Sequence, residues 1–251
     1  MHEPSPHGQA FEPTWLTTSS FSVEVEDRSV PTVLWTPTDG PARGLILIGH
    51  GASGTKTEGY VVALARGLVR RARVAVCAID GPVHGDRRED GAVTGVVPFL
   101  EFSQRWANDH HLTDEAVADW RGVLDHILGV LGDPELPVGY WGVSMGTILG
   151  LPFVAAEPRI GAAVLGLMGL TGPTKHRLER DAAALTCPIE FLVQWDDQLF
   201  DRHLAFKLFE AIGSDDKHLV ANPGAHGAVP TRTFRASADF LISALGLAAA
   251  P

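Results

Sequence analysis

Three kinds of side chain in this sequence, each just after a β-like run, could do nucleophilic chemistry together: Ser144, a carboxylate at 196–197, and His226. Ser144 lies in Gly142-Val143-Ser144-Met145-Gly146, between an apolar run ending at Trp141 and a helix-like stretch, Thr147 to Val154. A serine hydroxyl is a poor nucleophile until an adjacent base takes its proton. To meet both base and substrate it must stand on a sharp turn, where side chains two residues to either side would collide. Glycine removes the Cβ and with it the collision. A glycine-flanked strand end with a solvated serine has the same composition, so the pentapeptide alone does not separate the two readings.

The surrounding pattern does more. Phe21 to Glu26 alternates with period two, as in a half-buried strand, and Val30 to Trp35 reads as its hairpin partner. Gly44 to Gly49 and Val74 to Ile79 are continuous apolar runs, suited to strands buried on both faces. Val138 to Trp141, Ala162 to Leu167, Ile189 to Val193 and Lys217 to Ala221 complete the strand candidates. Helical patterns fall at Tyr60 to Arg70, from Thr113 to about Leu131, after Ser144 to about Ala155, within 172–186, at Arg202 to Ala211 and at Thr231 to Leu247. Residues 1–19 read as a loose arm and 81–112 as irregular chain. From residue 44 onward strand and helix alternate, which predicts an α/β class with a mostly parallel sheet and helices on both faces. In such sheets the site lies beyond the carboxyl ends of the strands. Those positions hold Gly49-His50-Gly51-Ala52, Asp80-Gly81-Pro82-Val83-His84, Ser144, Trp195-Asp196-Asp197 and Gly224-Ala225-His226-Gly227. A serine, an acid and a histidine therefore occur in that chain order, each at a strand's end.

Composition narrows the partners. The chain has 251 residues, enough for one large core, and reads as one domain over 1–251. Its net charge is −10 and no basic run reaches five residues, so nucleic acid and anionic lipid are not expected partners. The two cysteines, Cys77 and Cys187, lie in apolar, strand-like contexts and read as buried free thiols, which a reducing compartment allows. The N-terminal residues lack a basic segment followed by an apolar one, and no apolar stretch is long enough to span a bilayer. A cytoplasmic protein with no membrane partner is the expectation, and the oligomeric state stays open. No histidine–acid cluster has metal spacing; His110 and His111 are adjacent and diverge on a helix. The loop at 49–54 lacks the Lys-Ser/Thr ending of a phosphate loop. No metal and no organic cofactor are expected.

The pieces His50-Gly51, Gly142 to Gly146, Asp196-Asp197-Gln198-Leu199-Phe200 and Gly224 to Gly227 together resemble the α/β-hydrolase superfamily. Within it the chain resembles the dienelactone-hydrolase-like carboxylesterases with little cap, over residues 21–247. It departs from true dienelactone hydrolases, which carry a cysteine nucleophile where Ser144 stands. The resemblance implies an α/β-hydrolase fold: a mostly parallel eight-stranded sheet, helices on both faces and a minimal cap. It implies Ser144 as nucleophile and His226 as base, and its spacing of acid to apolar residue favours Asp197 over Asp196 as the orienting carboxylate. It places the oxyanion donors at the backbone N–H groups of Ala52 and Met145. Trp195 and Met168 are candidate substrate walls by position, and core packing suits them equally. Residues 83–112, with Val96, Phe99, Leu100, Phe102 and Trp106, could form a partial lid or an irregular surface loop. The implied activity is hydrolysis of small carboxylic esters, with short acyl groups preferred, through an acyl-enzyme on Ser144. Alternatives are a thioesterase, acyltransferase or peptidase with the same three residues, or a non-catalytic binding protein on this fold.

Overall fold

In the computed structural model, which describes residues 13–247, one sheet of eight strands carries the architecture. The strands are β1 (Leu16–Val25), β2 (Arg28–Pro37), β3 (Leu45–Gly49), β4 (Ala75–Ile79), β5 (Val138–Gly142), β6 (Ile160–Gly166), β7 (Ile189–Gln194) and β8 (Lys217–Asn222). Their order is β1-β2-β4-β3-β5-β6-β7-β8; β1 and β2 pair antiparallel, β2 joins β4 antiparallel, and all later pairs are parallel. This is the expected mostly parallel eight-stranded sheet of the α/β-hydrolase fold.

The continuous apolar strands are explained by what covers them. Leu45 and Leu47 enter one core layer and Ile46 and Ile48 the other, so β3 is buried on both faces. Helices α1 (Gly59–Ala72) and α7 (Thr231–Ala244) cover one face, with Leu64, Leu68 and Leu241 packed on it. Helices α3 (Leu112–Leu131), α4 (Met145–Ala156), α5 (Lys175–Ala183) and α6 (Arg202–Ala211) cover the other, through Trp120, Leu124, Phe153 and Leu208. Among the described residues, no helix is long and apolar enough to cross a membrane.

Several expectations need correction. The loose arm ends sooner than its composition suggests: β1 starts at Leu16, and its Thr-Thr-Ser-Ser stretch pairs with Val33 to Thr36. Those polar side chains do not alternate, because this is an edge strand with little to bury; residues 1–12 lie outside the described residues. The interval 81–112 is not irregular throughout, for α2 (Val96–Asn108) lies within it. Its Val-Val-Pro start reads as a loop, but Pro98 stands in the first turn, where a backbone N–H has no helical partner to lose. Helix α3 begins at Leu112, with Thr113 inside its first turn beside Asp114 and Glu115. Asp201 caps α6, its carboxylate accepting the His203 N–H at 2.7 Å. Cys77 is buried in β4, whereas Cys187 is half-buried in the turn before β7; both thiols are free.

Helix α4 is buried almost all round and crosses Tyr140 of β5 closely. A Cβ on Gly150 would fall 2.1 Å from the Tyr140 hydroxyl and 2.3 Å from the ring. Tyr140 is fully buried and its hydroxyl donates to the Gly146 carbonyl at 2.7 Å, so the ring has nowhere to move. Gly→Ala in a helix ordinarily gains about 1 kcal/mol. Here Gly150→Ala should instead destabilise by roughly 1–3 kcal/mol through overpacking, read as a lower urea midpoint; a raised midpoint would show that Tyr140 can yield.

Candidate active site

Ser144 follows β5 at the first bend into α4, with φ 58° and ψ −120°. A non-glycine residue there is strained by about 1–3 kcal/mol and persists only when its surroundings hold it. They do. The Ser144 N–H donates to the Gly166 carbonyl at 2.9 Å. The Thr147 hydroxyl lies 2.9 Å from the Gly142 carbonyl and 2.7 Å from that of Gly166, and accepts the Gly166 N–H at 2.8 Å. The flanking glycines are required by contact: a Cβ on Gly146 would meet the Gly49 carbonyl at 2.5 Å, and one on Gly142 the Gly146 carbonyl at 2.7 Å.

His226, in the loop after β8, places Nε2 3.0 Å from the Ser144 hydroxyl and Nδ1 2.7 Å from an Asp197 carboxylate oxygen. A carboxylate can only accept, so Nδ1 carries the proton and Nε2 is left to accept from the serine. Asp197, after β7, has a side chain only 4% exposed. Its other oxygen accepts the Leu199 and Phe200 N–H groups at 2.8 and 3.0 Å. Asp196 turns away and accepts the Gly224 N–H at 3.0 Å, which braces the histidine loop from below. Two glutamines that were not among the candidate site residues brace it further. Gln198 accepts the His226 N–H, and Gln194 donates to the Ala225 carbonyl, each at 3.0 Å.

Ala52 and Met145 face this group from two other elements. Met145 opens α4, so its N–H has no helical carbonyl to meet. The Ala52 loop is held on three sides. The Gly51 N–H donates to the Tyr60 hydroxyl at 2.8 Å. The Ala52 carbonyl lies 2.6 Å from His84 Nε2. Behind it, buried Asp80 takes the Lys56 N–H at 2.9 Å, the Lys56 ammonium at 2.5 Å and the Asp86 N–H at 2.9 Å. His50, His84 and Asp80 therefore shape loops and make no hydrogen bond to Ser144.

Two cavities meet at Ser144, sharing Ala52, Phe99 and Leu199. One, of about 170 Å³, runs past His226 to Tyr60, Leu167, Val229 and Phe234. The other, of about 150 Å³, is walled by Phe102, Trp106, Met145, Ile148 and Phe200. Neither Trp195 nor Met168 lines them. Trp195 stands outside, half exposed, with Arg202 stacked 4.8 Å from its ring centroid. Met168 is wholly buried. Gly166 at φ 142° and Leu167 at φ 49° turn the chain so that Leu167 reaches the cavity and its neighbour enters the core. The α2 residues Phe99, Phe102 and Trp106, in the interval that could have been a partial lid or a surface loop, form a wall of the second cavity. Among the described residues, no three His, Cys, Asp or Glu side chains converge as a metal site would require.

The arrangement can move a proton from a serine hydroxyl to an imidazole beside two backbone N–H donors. No family model and no curated protein matches the chain. Among solved structures it is similar to a cold-adapted esterase from an Arctic intertidal metagenomic library, in a PEG-bound complex. Identity is 37% over 94% of this chain and 97% of that one, with a TM-score of 0.82. The chain belongs to the α/β-hydrolase esterases. Two more distant structures share the fold. A dienelactone hydrolase from Anabaena variabilis is 18% identical over 94% of this chain and 100% of that one, TM-score 0.67. Acetyl xylan esterase 1 from Thermoanaerobacterium is 17% identical over 95% and 86%, TM-score 0.70.

In this esterase the loop histidines are tuned by burial. His50 Nε2 accepts the Gly81 N–H at 2.9 Å, so its proton sits on Nδ1, 2.8 Å from the Gly51 carbonyl. Protonating Nε2 would set N–H against N–H. Burial, with His84 beside it, accordingly lowers the His50 pKa to about 4. Burial also lowers that of His84, against the pull of its two carbonyl partners at Ala52 and Pro82. A histidine depressed in the fold stabilises it above the unfolded pKa of about 6.5 and loses that contribution as pH falls toward the folded value. For His50 the window is pH 6.5 to about 4, and the contribution is about 3 kcal/mol. Urea unfolding at pH 7 and pH 4.5 should show a large loss of stability in the wild type, and a loss smaller by about 2 kcal/mol in His50→Gln. Equal acid losses in the two proteins would remove His50 from the explanation.

Proposed function

We propose that this esterase cleaves small carboxylic esters, preferably with short acyl groups, through a covalent acyl-enzyme on Ser144. The observation that carries the reading is the hydrogen-bonded line from Asp197 through His226 to Ser144, at 2.7 and 3.0 Å. As the Ser144 oxygen bonds to the ester carbonyl carbon, its proton passes to His226 Nε2. The imidazolium that forms is stabilised by Asp197, which stays ionised. The carbonyl oxygen takes up the negative charge beside the Ala52 and Met145 N–H groups. Collapse breaks the bond to the alcohol oxygen, which leaves with the proton from His226. Water then gives a proton to His226 and attacks the acyl carbon; the bond to Ser144 breaks and the serine recovers its proton. No step needs a metal or an organic cofactor. Both cavities are smaller than the roughly 300–1,000 Å³ usual for drug-sized ligands, which supports short acyl groups.

A fluorophosphonate should label Ser144 covalently, and Ser144→Ala should lose on the order of 10⁶-fold in turnover of p-nitrophenyl acetate. Full hydrolysis by that variant would end the proposal. Thioesters of coenzyme A, assayed beside the oxygen esters, show whether thioester cleavage is the faster reaction.

The two aspartates separate by geometry. Asp197→Asn should leave His226 with the wrong tautomer and lower kcat by about 10⁴-fold. Asp196→Asn, which keeps an oxygen for the Gly224 N–H, should cost less than about tenfold. Equal losses would mean that the histidine loop depends on both carboxylates alike.

A further inference from the structure

The two cavities are not interchangeable, and stereochemistry assigns them. This step rests on the proposed role of Ser144. In the tetrahedral intermediate the acyl carbon carries four substituents: the Ser144 oxygen, the oxyanion, the leaving oxygen and the acyl chain. The oxyanion faces Ala52 and Met145. The leaving oxygen must come within hydrogen-bond reach of His226 Nε2 to receive its proton. Only the cavity running to Tyr60, Val229 and Phe234 includes His226 in its wall, so the alcohol lies there. The acyl chain is left with the other cavity, which includes no part of His226.

That acyl cavity has a particular chemistry. Four aromatic rings, Phe99, Phe102, Trp106 and Phe200, bound it together with Met145 and Ile148. Its polar groups are already engaged. Ser103 donates to the Phe99 carbonyl at 2.7 Å, and the Trp106 indole N–H donates to the Thr174 hydroxyl at 2.8 Å. A charged or strongly hydrated acyl group would lose water and gain no partner. Its volume is about 150 Å³, and a dry apolar cavity of roughly that size holds a benzene ring. Phe102 is locked, 2% exposed and stacked on Trp106 with ring planes 11° apart, so the walls are formed before substrate arrives. A flat ring keeps few torsions to freeze on binding, whereas each methylene of a linear chain has one.

We propose that this cavity selects an uncharged aryl acyl group, of the phenylacetyl class, over a linear acyl chain of similar size. Ring-on-ring contacts in offset or edge geometry add to area burial and are available only to the aryl group. With the same p-nitrophenol leaving group, and after correction for hydroxide-catalysed rates, the phenylacetate should exceed the hexanoate in kcat/KM by about tenfold, the equivalent of one such contact.

Methyl phenylacetate and benzyl acetate decide the assignment, because they are isomers that carry the ring on opposite sides of the ester. Ser103→Phe fills the acyl cavity from a half-buried position on α2. It should lower the kcat/KM ratio of methyl phenylacetate to benzyl acetate by about 100-fold, a loss typical of an overfilled site. Fluorophosphonate labelling of Ser144 confirms that the variant is folded, and Ile148→Trp, which fills the cavity from α4, should shift the ratio the same way. A hexanoate preference, or a ratio that both filled variants leave unmoved, in a protein whose Ser144 still labels would overturn the aryl assignment and leave the Ser144 mechanism standing. A ratio that moves the other way would exchange the two cavities and overturn it equally. If Ser144→Ala hydrolysed both isomers at full rate, the mechanism and the assignment would fall together.

Discussion

Gly146 and Gly49 touch backbone to backbone, with room for no side chain between them, and the whole site hangs on that approach. Gly49 ends β3 and leads to Ala52, while Gly146 lies in the first turn of α4, just after Ser144 and Met145. Parallel neighbours in a sheet stand about 4.8 Å apart, and β3 and β5 are such neighbours. Their carboxyl ends therefore bring two loops together, but only the missing Cβ atoms let the helix settle low enough for Met145 and Ala52 to line one cavity beside Ser144. The strain at Ser144 is the cost of that close seat, and Thr147 with Gly166 offsets it from the next strand.

A second layer makes the arrangement rigid where it would otherwise be soft. The loop after β3 has no sheet partner of its own beyond Gly49, so its shape must come from behind. Asp80, wholly buried at the end of β4, gathers two backbone N–H groups and the Lys56 ammonium. A buried charge costs several kcal/mol to desolvate, and here the lone pairs are met from three directions. The compensation goes into fixing geometry. Lys56 belongs to the β3 loop and Asp86 to the β4 loop, so the carboxylate ties together the chain segments that carry Ala52 and His84.

The fold and Ser144 could be read directly because they obey local rules. Runs such as Leu45 to Ile48 need two covered faces, and Gly-x-Ser-x-Gly needs a tight turn. His226 was legible from its place after the last strand. What escaped the sequence depends on where a side chain points. Met168 and Leu167 have similar chemistry and adjacent positions, and only the left-handed turn at Gly166 and Leu167 decides which reaches the cavity. Trp195 follows β7 as a wall residue should, yet its N–H pairs with the Asn222 carbonyl and its ring turns outward. Gln194 lies in no motif, and Gln198 entered only as the residue after the aspartate pair, because each makes a single bond to the loop that holds His226. Helix α2 was obscured by Gly95, two valines and a proline, whose propensities favour a loop until Phe102 is buried.

That burial also decides whether α2 can act as a lid. Its outer residues Val96, Val97 and Leu100 are more than half exposed, as on a lid that opens to an apolar phase. Its ion pairs to the body, Arg88 to Glu101 and Arg105 to Glu115, involve partly exposed groups and hold little. Phe102 is different, because withdrawing it would expose a full aromatic side chain at about 2–3 kcal/mol. The consequence reaches further than that cost. Phe102 packs on His84, with ring centroids 6.0 Å apart, and His84 holds the Ala52 carbonyl at 2.6 Å. Swinging α2 outward would strip the cover from the histidine that holds the Ala52 loop beside Ser144. The helix is therefore built as a wall: its inner aromatic residues line the cavity beside Ser144, and its withdrawal would uncover the histidine on which the Ala52 loop rests.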